Sequence, residues 1–144
     1  MLPDPSFVAA RHLSASSQAL IKTVKDALAH TTERFEELTF QANLMDRLIA
    51  RGEARRLGRT SHIQVKSANY DGSKIVARIQ GTTDDYSVRI SLKPKPGHFC
   101  ECRDWQQRGR QIGPCKHVLR LGEYWMEERV EPELKLLADS LIPF

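Results

Sequence analysis

Three cysteines and one histidine near the C-terminal end carry the clearest chemistry in this chain of 144 residues. Cys100 and Cys102 are separated by one residue, and after twelve intervening residues Cys115 and His117 repeat the same gap. Three thiolates and an imidazole complete the tetrahedral coordination of Zn²⁺ and leave no open position, which is typical of a structural site. The spacing therefore predicts a zinc ion that holds a fold together and performs no reaction.

The sequence leaves other uses of these side chains open. A disulfide would use two of the three cysteines and leave the third free, and buried free cysteines can act as small apolar residues. His98 precedes Cys100 by two residues and could compete with His117 for the fourth position. The shared one-residue gap favours His117. The predicted metal ligands are Cys100, Cys102, Cys115 and His117.

The length and composition of the chain favour about one globular domain with a core of its own. Its hydrophobic and charged fractions are ordinary. A run of eighteen apolar residues is missing, so no membrane span is expected. The first residues lack the pattern of a secretory signal. Because metal-binding thiols must stay reduced, we expect a cytoplasmic location with nucleoid association, or a nuclear one if the chain is eukaryotic.

The basic residues are concentrated in two segments, although the formal net charge is only +4. Residues 47–66 carry six basic residues and one acidic residue, and residues 87–122 carry eight basic and two acidic residues. The end of the chain, residues 123–144, has six acidic and two basic residues. Such asymmetry indicates a nucleic-acid partner, DNA more than RNA, for the basic part.

Apolar periodicity predicts helices before the cluster. One helix is expected from Ser16 or Ser17 to about His30, and a second from Thr31 to about Arg56. So short a break indicates either a helical hairpin or one long helix. The apolar stripe of the second predicted helix could face the domain's own core, or it could form a dimer interface or docking surface. Its members, at spacings of three and four, are Phe35, Leu38, Ala42, Met45 and Ile49.

From residue 62 the apolar period becomes two, which predicts three strands in an antiparallel meander with one buried face. Residues 103–114 are predicted to form a loop, a helix is expected to begin at about Cys115, and a short helix is expected after Pro132. The fold class is therefore α+β: an N-terminal helical hairpin or long helices, a small antiparallel β-meander, a ββα-type zinc finger and C-terminal helices.

The order of these features resembles the SWIM zinc finger: a strand pair, C-x-C, Asp104, and then C-K-H at the start of a helix. The resemblance covers roughly residues 50–125. It implies a ββα zinc fold that binds DNA or mediates protein contacts, as in domains found beside Snf-type ATPases, in Mutator-type transposases and in recombination accessory proteins. The predicted divisions are a helical region for dimerisation or docking (1–58), a SWIM-type zinc-binding domain (59–127) and an acidic helical tail (128–144).

The leading functional hypothesis is a non-enzymatic zinc module that binds nucleic acid through phosphates with weak sequence selectivity. The alternative is an adaptor that docks on a DNA-processing enzyme, such as a Snf-type helicase or a recombinase, through residues 16–56, or that forms a homodimer. No P-loop, nucleophile elbow or H-E-x-x-H motif indicates an enzyme. Trp105 could stack on a base or pack over the metal site. The predicted nucleic-acid contacts are Arg55, Arg56, Arg59, Arg103, Trp105, Arg108, Arg110, Lys116 and Arg120.

Overall fold

The computed structural model describes residues 15–141, without the side chains of residues 108–112. The fold is α+β, as the sequence predicts. Two compact units divide between Glu37 and Leu38. None of the described helices is long and apolar enough to cross a bilayer. The elements are α1 (Ala15–Ala50), α2 (Ala54–Leu57), β1 (Val65–Tyr70), β2 (Lys74–Ile79), β3 (Tyr86–Ser91), β4 (Gly97–Cys100), α3 (Arg103–Ile112), α4 (Lys116–Trp125), a π-helical segment (Met126–Val130) and α5 (Glu131–Leu141).

Helix α1 is continuous where the sequence predicts a break. The hydroxyl groups of Thr31 and Thr32 donate to the carbonyl oxygens of Ala27 and Leu28, each at 2.9 Å. Because these hydroxyls are satisfied by the preceding turn, they do not cap a new helix. The hairpin does not form, and the long helix, the other predicted arrangement, is confirmed. The predicted continuation to Arg56 is wrong, since α1 ends at Ala50 and α2 begins at Ala54.

The antiparallel sheet has the order β1-β2-β3-β4, so the predicted meander is present with one strand added. The prediction missed β4 because Pro96 and Gly97 are typical turn residues and the strand has only four residues. Its pairing with β3 places Cys100 opposite Val88. The fourth strand therefore carries the first cysteine of the cluster at its end.

The core lies on one face of the sheet, where Ile75, Ile79 and Val88 are fully buried. Helix α4 contributes Leu121 and Trp125 to the same core. Burying an aliphatic side chain of this size stabilises the folded state by about 1.5–3 kcal/mol. The Nε1–H of Trp125 donates to Oε1 of buried Gln41 in α1 at 2.9 Å, so these two buried polar groups are paired with each other. Met45 and Leu48 of α1 share this core with the sheet and α4.

The segment predicted as a loop, residues 103–114, contains helix α3. Cys102 caps this helix, because its Sγ accepts the backbone N–H of Trp105 at 3.3 Å. Gly113 ends it with a φ of +94°, and a Cβ there would lie 2.8 Å from the carbonyl oxygen of Arg51, so only glycine fits without strain. The predicted start of the next helix is confirmed, since Cys115 is the N-cap of α4.

Candidate metal centre and its basic cleft

Four side chains from the strand end and the two helix starts converge on one point. Cys100 ends β4, Cys102 and Cys115 cap α3 and α4, and His117 lies in the first turn of α4. Their ligand atoms all lie within 4.8 Å of one another, and all four residues are buried. In a tetrahedral zinc site with metal–ligand distances of about 2.0–2.3 Å, ligand atoms are about 3.3–3.8 Å apart. The cluster could therefore hold a metal ion after small side-chain shifts.

The surroundings of the cluster fit a metal ion. The backbone N–H of Cys102 donates to the Sγ of Cys100 at 3.4 Å, in addition to the bond from Trp105 to Cys102. Such N–H donors stabilise thiolate charge. Nδ1 of His117 is buried without a hydrogen-bond partner in the described part of the chain, and the ring meets Tyr86 edge-on at 5.0 Å. A metal ion bound through Nδ1 would supply the polar interaction that this nitrogen lacks.

The pKa values of the three cysteine thiols differ from one another. The hydrogen bond with Cys100, followed by that with Cys115, lowers the pKa of the Cys102 thiol. The bond with Cys102 is the main cause that raises the pKa of Cys100. For Cys115, the bond with Cys100 lowers the pKa, but the bond with Cys102 and burial raise it to about 11. A divalent metal would replace the protons of the two less acidic thiols, since it is the thiolate that binds.

His98, the competing histidine, does not belong to the group of converging ligand atoms. Its ring packs edge-on against Trp105, with ring centroids 4.6 Å apart. Burial, and secondarily the charge of Arg51, lowers the pKa of His98 to about 4. Trp105 also lies near Phe99, at 6.5 Å between ring centroids. The structure therefore favours His117 as the fourth ligand and favours packing beside the cluster as the role of Trp105.

Arg56 lies inside the molecule, with only 7% of its surface exposed. Its guanidinium donates to the carbonyl oxygens of Gly113 and Pro114, at 3.0 and 3.1 Å, and to Oδ1 of Asp104 at 2.9 Å. These bonds tie α2 to α3 and to the segment just before Cys115. Because its donors are used inside the protein, Arg56 has a structural role, and we leave it out of any nucleic-acid surface.

A cleft of about 280 Å³, which we call the basic cleft, lies beside the metal ligands. Arg103 follows Cys102 directly and Lys116 separates Cys115 from His117, so the helix starts that position the ligands also position these charges. Together with Arg55 and Arg59, they line the cleft. The lining residues are Glu53, Arg55, Arg56, Arg59, Arg103, Asp104, Gln107 and Lys116.

Four of these side chains, Arg55, Arg59, Arg103 and Lys116, form no ion pair or hydrogen bond within the part of the chain that the structure describes. Positive charges that share a cleft repel one another and attract an anion. Gln107 lines the same cleft one helical turn after Arg103. Gln107 was not predicted as a site residue, because residues 103–114 were predicted to form a loop. In a helix over residues 103–112, Gln107 lies beside Arg103.

The remaining basic residues that the sequence predicted to contact nucleic acid are not among the described residues that line the basic cleft. Nε of Arg120 donates to the carbonyl oxygen of Ile63 at 3.0 Å, which anchors the segment before β1 to α4. Arg108 and Arg110 belong to α3, but their side chains lie outside the described residues. The structure therefore brings four predicted contacts together and assigns structural bonds to Arg56 and Arg120.

Comparison of the chain with protein-family models, curated proteins and solved structures finds no match.

Proposed function

We propose that this chain is a zinc-stabilised module that binds nucleic acid, DNA more than RNA, through its phosphates. One observation carries the proposal: four unpaired basic side chains surround a cleft whose walls begin at the metal cluster. Zinc is the metal best suited to a donor set of three thiolates and one imidazole. The C-x-C and C-x-H spacing of the SWIM zinc finger supports the same role.

The composition of the basic cleft accounts for the kind of binding we expect. A guanidinium can donate two parallel hydrogen bonds to one phosphate, and the cleft offers three that are unpaired, on Arg55, Arg59 and Arg103. None of the described residues that line the basic cleft is aromatic. Because phosphate contacts carry no sequence information, binding should be weakly sequence-selective and should weaken strongly as salt concentration rises.

The proposal is tested by fluorescence anisotropy with labelled single-stranded and duplex DNA and with RNA of the same sequence, across several salt concentrations. Arg55→Glu with Arg103→Glu should abolish binding and reduce the dependence on salt. Lys22→Glu with Lys25→Glu makes the same charge change at exposed positions of α1 that do not line the cleft, and should retain most of the affinity. A zinc-loaded chain with no affinity for any nucleic acid at low salt would contradict the proposal.

A second candidate function is self-association through α1. Because this helix is continuous, a stripe with spacings of three and four runs from Ile21 to Leu38, apolar at every position except Thr31. Several residues of this stripe or beside it are exposed: Leu20 by 66%, Val24 by 49%, Leu28 by 54% and Phe35 by 52%. A stripe with a period of 3.5 residues packs against a copy of itself in a coiled coil. We propose a second copy of the chain as the occupant of this face.

Analytical ultracentrifugation tests the homodimer. Val24→Glu with Leu28→Glu should convert the dimer to a monomer without unfolding it, because both side chains are exposed. Ala29→Glu, an exposed position outside the stripe, is the control. Leu38 and Met45, which the sequence placed in the same stripe, are buried and would unfold the chain if made polar. A monomeric unmodified chain would contradict the proposal and leave this face to a different protein, such as a DNA-processing enzyme.

A further inference from the structure

A second cleft adjoins the basic cleft and shares two of its walls. We call it the mixed cleft; its volume is about 240 Å³. Arg59 and Lys116 line both clefts. Among the residues that the structure describes, the remaining lining of the mixed cleft consists of imidazole, amide, hydroxyl, glycine and one apolar side chain, without a carboxylate or a further guanidinium. The lining residues are Arg59, His62, Ile63, Gln80, Gly81, Thr82, Lys116 and His117.

The walls of the mixed cleft are fixed by backbone contacts. The N–H of Gln80 donates to the carbonyl oxygen of Gln64 at 2.9 Å, and the N–H of Ile63 donates to the carbonyl oxygen of Thr60 at 3.0 Å. A Cβ at Gly81 would collide with the carbonyl oxygen of Asp84, so the turn after β2 closes tightly on itself. A cleft whose walls are held in this way loses little conformational entropy when a ligand enters it.

The two clefts differ in the chemistry they can recognise. Unpaired cations around the basic cleft suit a phosphate group, whereas the amide of Gln80, the hydroxyl of Thr82 and the imidazole of His62 suit neutral donors and acceptors. Such groups occur together on the sugar and the base of a nucleotide, where the edges of an unpaired base are open to hydrogen bonds. Arg59 and Lys116 line both clefts, so both kinds of recognition meet at these two side chains.

We infer that the two clefts form a site for one nucleotide of a single strand, with the phosphate in the basic cleft and the sugar and base in the mixed cleft. This inference rests on the proposed nucleic-acid function and adds the form of the ligand. A duplex would present its phosphates to the basic cleft, but its paired bases could not enter the mixed cleft. Single strands should therefore bind more tightly than duplexes of equal length.

The test uses two labelled DNA strands of eight nucleotides, one with normal bases and one made entirely of abasic sites. The unmodified chain should bind the normal strand more tightly. Gln80→Ala with Thr82→Val should weaken binding of the normal strand by about fivefold to tenfold, as expected for two lost hydrogen bonds. It should weaken binding of the abasic strand, which keeps the sugar, by less, and should leave the salt dependence unchanged. Arg55→Ala with Arg103→Ala should weaken both strands and reduce the salt dependence. Gln80→Ala with Thr83→Val, which changes only one lining residue, should have a smaller effect.

Two results distinguish failure of the nucleotide site from failure of the proposed nucleic-acid function. If both strands bind equally to the unmodified chain, and the change at Gln80 and Thr82 alters neither affinity, the nucleotide site is wrong while phosphate binding stands. If no strand binds at low salt, the proposed function itself is overturned, and the nucleotide site with it. Circular dichroism and the zinc content of each variant show whether the fold is retained.

Discussion

At the scale of single residues, the neighbours Arg55 and Arg56 have different roles. The sequence predicted nucleic-acid contacts for both, because both belong to one basic segment. In the structure Arg55 is exposed on the basic cleft, whereas Arg56 is buried and bonded to Asp104 and to the backbone of Gly113 and Pro114. Adjacent residues of a helix point about 100° apart, so one of them can face the interior while the other faces solvent. Which one does so depends on a segment distant in sequence, and local sequence does not specify it.

This difference yields a paired prediction. Arg56→Met should lower the free energy of unfolding by about 2–4 kcal/mol, because two carbonyl groups and a carboxylate lose a charged donor. Arg55→Met should change it by less than about 0.5 kcal/mol and should weaken nucleic-acid binding. Urea unfolding followed by circular dichroism, with zinc present, measures the first effect, and anisotropy measures the second. Equal losses of stability in the two variants would argue against the buried role of Arg56.

At the scale of elements, the sequence predicted those whose signals are local. The alternation of apolar residues predicted β1, β2 and β3, and the sequence also predicted a helix that begins at about Cys115, which is α4. Strand β4 and helix α3 were missed because they depend on distant partners. Four residues beginning with a glycine form a strand only because β3 offers a free edge, and α3 has a glycine at position 109 and no continuous apolar stripe.

The turn between β1 and β2 gives a prediction that depends on pH. Oδ1 of Asp71 accepts the N–H of Ser73, the N–H of Lys74 and the hydroxyl of Ser73, each at 2.9 Å. The backbone bond from Ser73 is the main cause that lowers the pKa of Asp71. Since the folded pKa lies below the unfolded value of about 3.9, the stabilisation is present above that value and is lost as pH falls through the folded pKa.

Asp71→Asn should therefore lower the free energy of unfolding at neutral pH, and its difference from the unmodified chain should shrink as pH falls below about 4. Urea unfolding of both chains at a series of pH values gives this difference, and any loss of metal on acidification affects both chains alike. Asp84→Asn, in the turn between β2 and β3, is the control. A difference that grows on acidification would show that the carboxylate of Asp71 does not stabilise the turn.

At the scale of the whole molecule, the structure gathers charges from two distant segments. Residues 47–66 contribute Arg55 and Arg59 to the basic cleft, and residues 87–122 contribute Arg103 and Lys116. The sequence predicted that both segments could form one positive face, because both are basic. It could not predict the mixed cleft, since Gln80 and Thr82 belong to a turn whose position beside α4 follows only from the packed sheet.

The metal cluster links the elements that build this surface. Cys100 belongs to β4, and Cys102 and Cys115 are the N-caps of α3 and α4. Two of the four cleft cations, Arg103 and Lys116, directly follow these caps in sequence. A structural zinc ion in a small domain contributes on the order of 10 kcal/mol to folding. Removal of the metal with a chelator should therefore abolish nucleic-acid binding, and restoring zinc should recover it. If the affinity for nucleic acid were unchanged after complete removal of the metal, the basic cleft would not depend on the metal for its structure.

The zinc content of the natively purified protein tests the central claim most directly. Elemental analysis should find close to one zinc ion per chain, and close to none in a Cys115→Ser variant, because this substitution removes one of four ligands in a closed site. A native protein that is folded but contains no metal, or a serine variant that retains a full complement of zinc, would contradict the account.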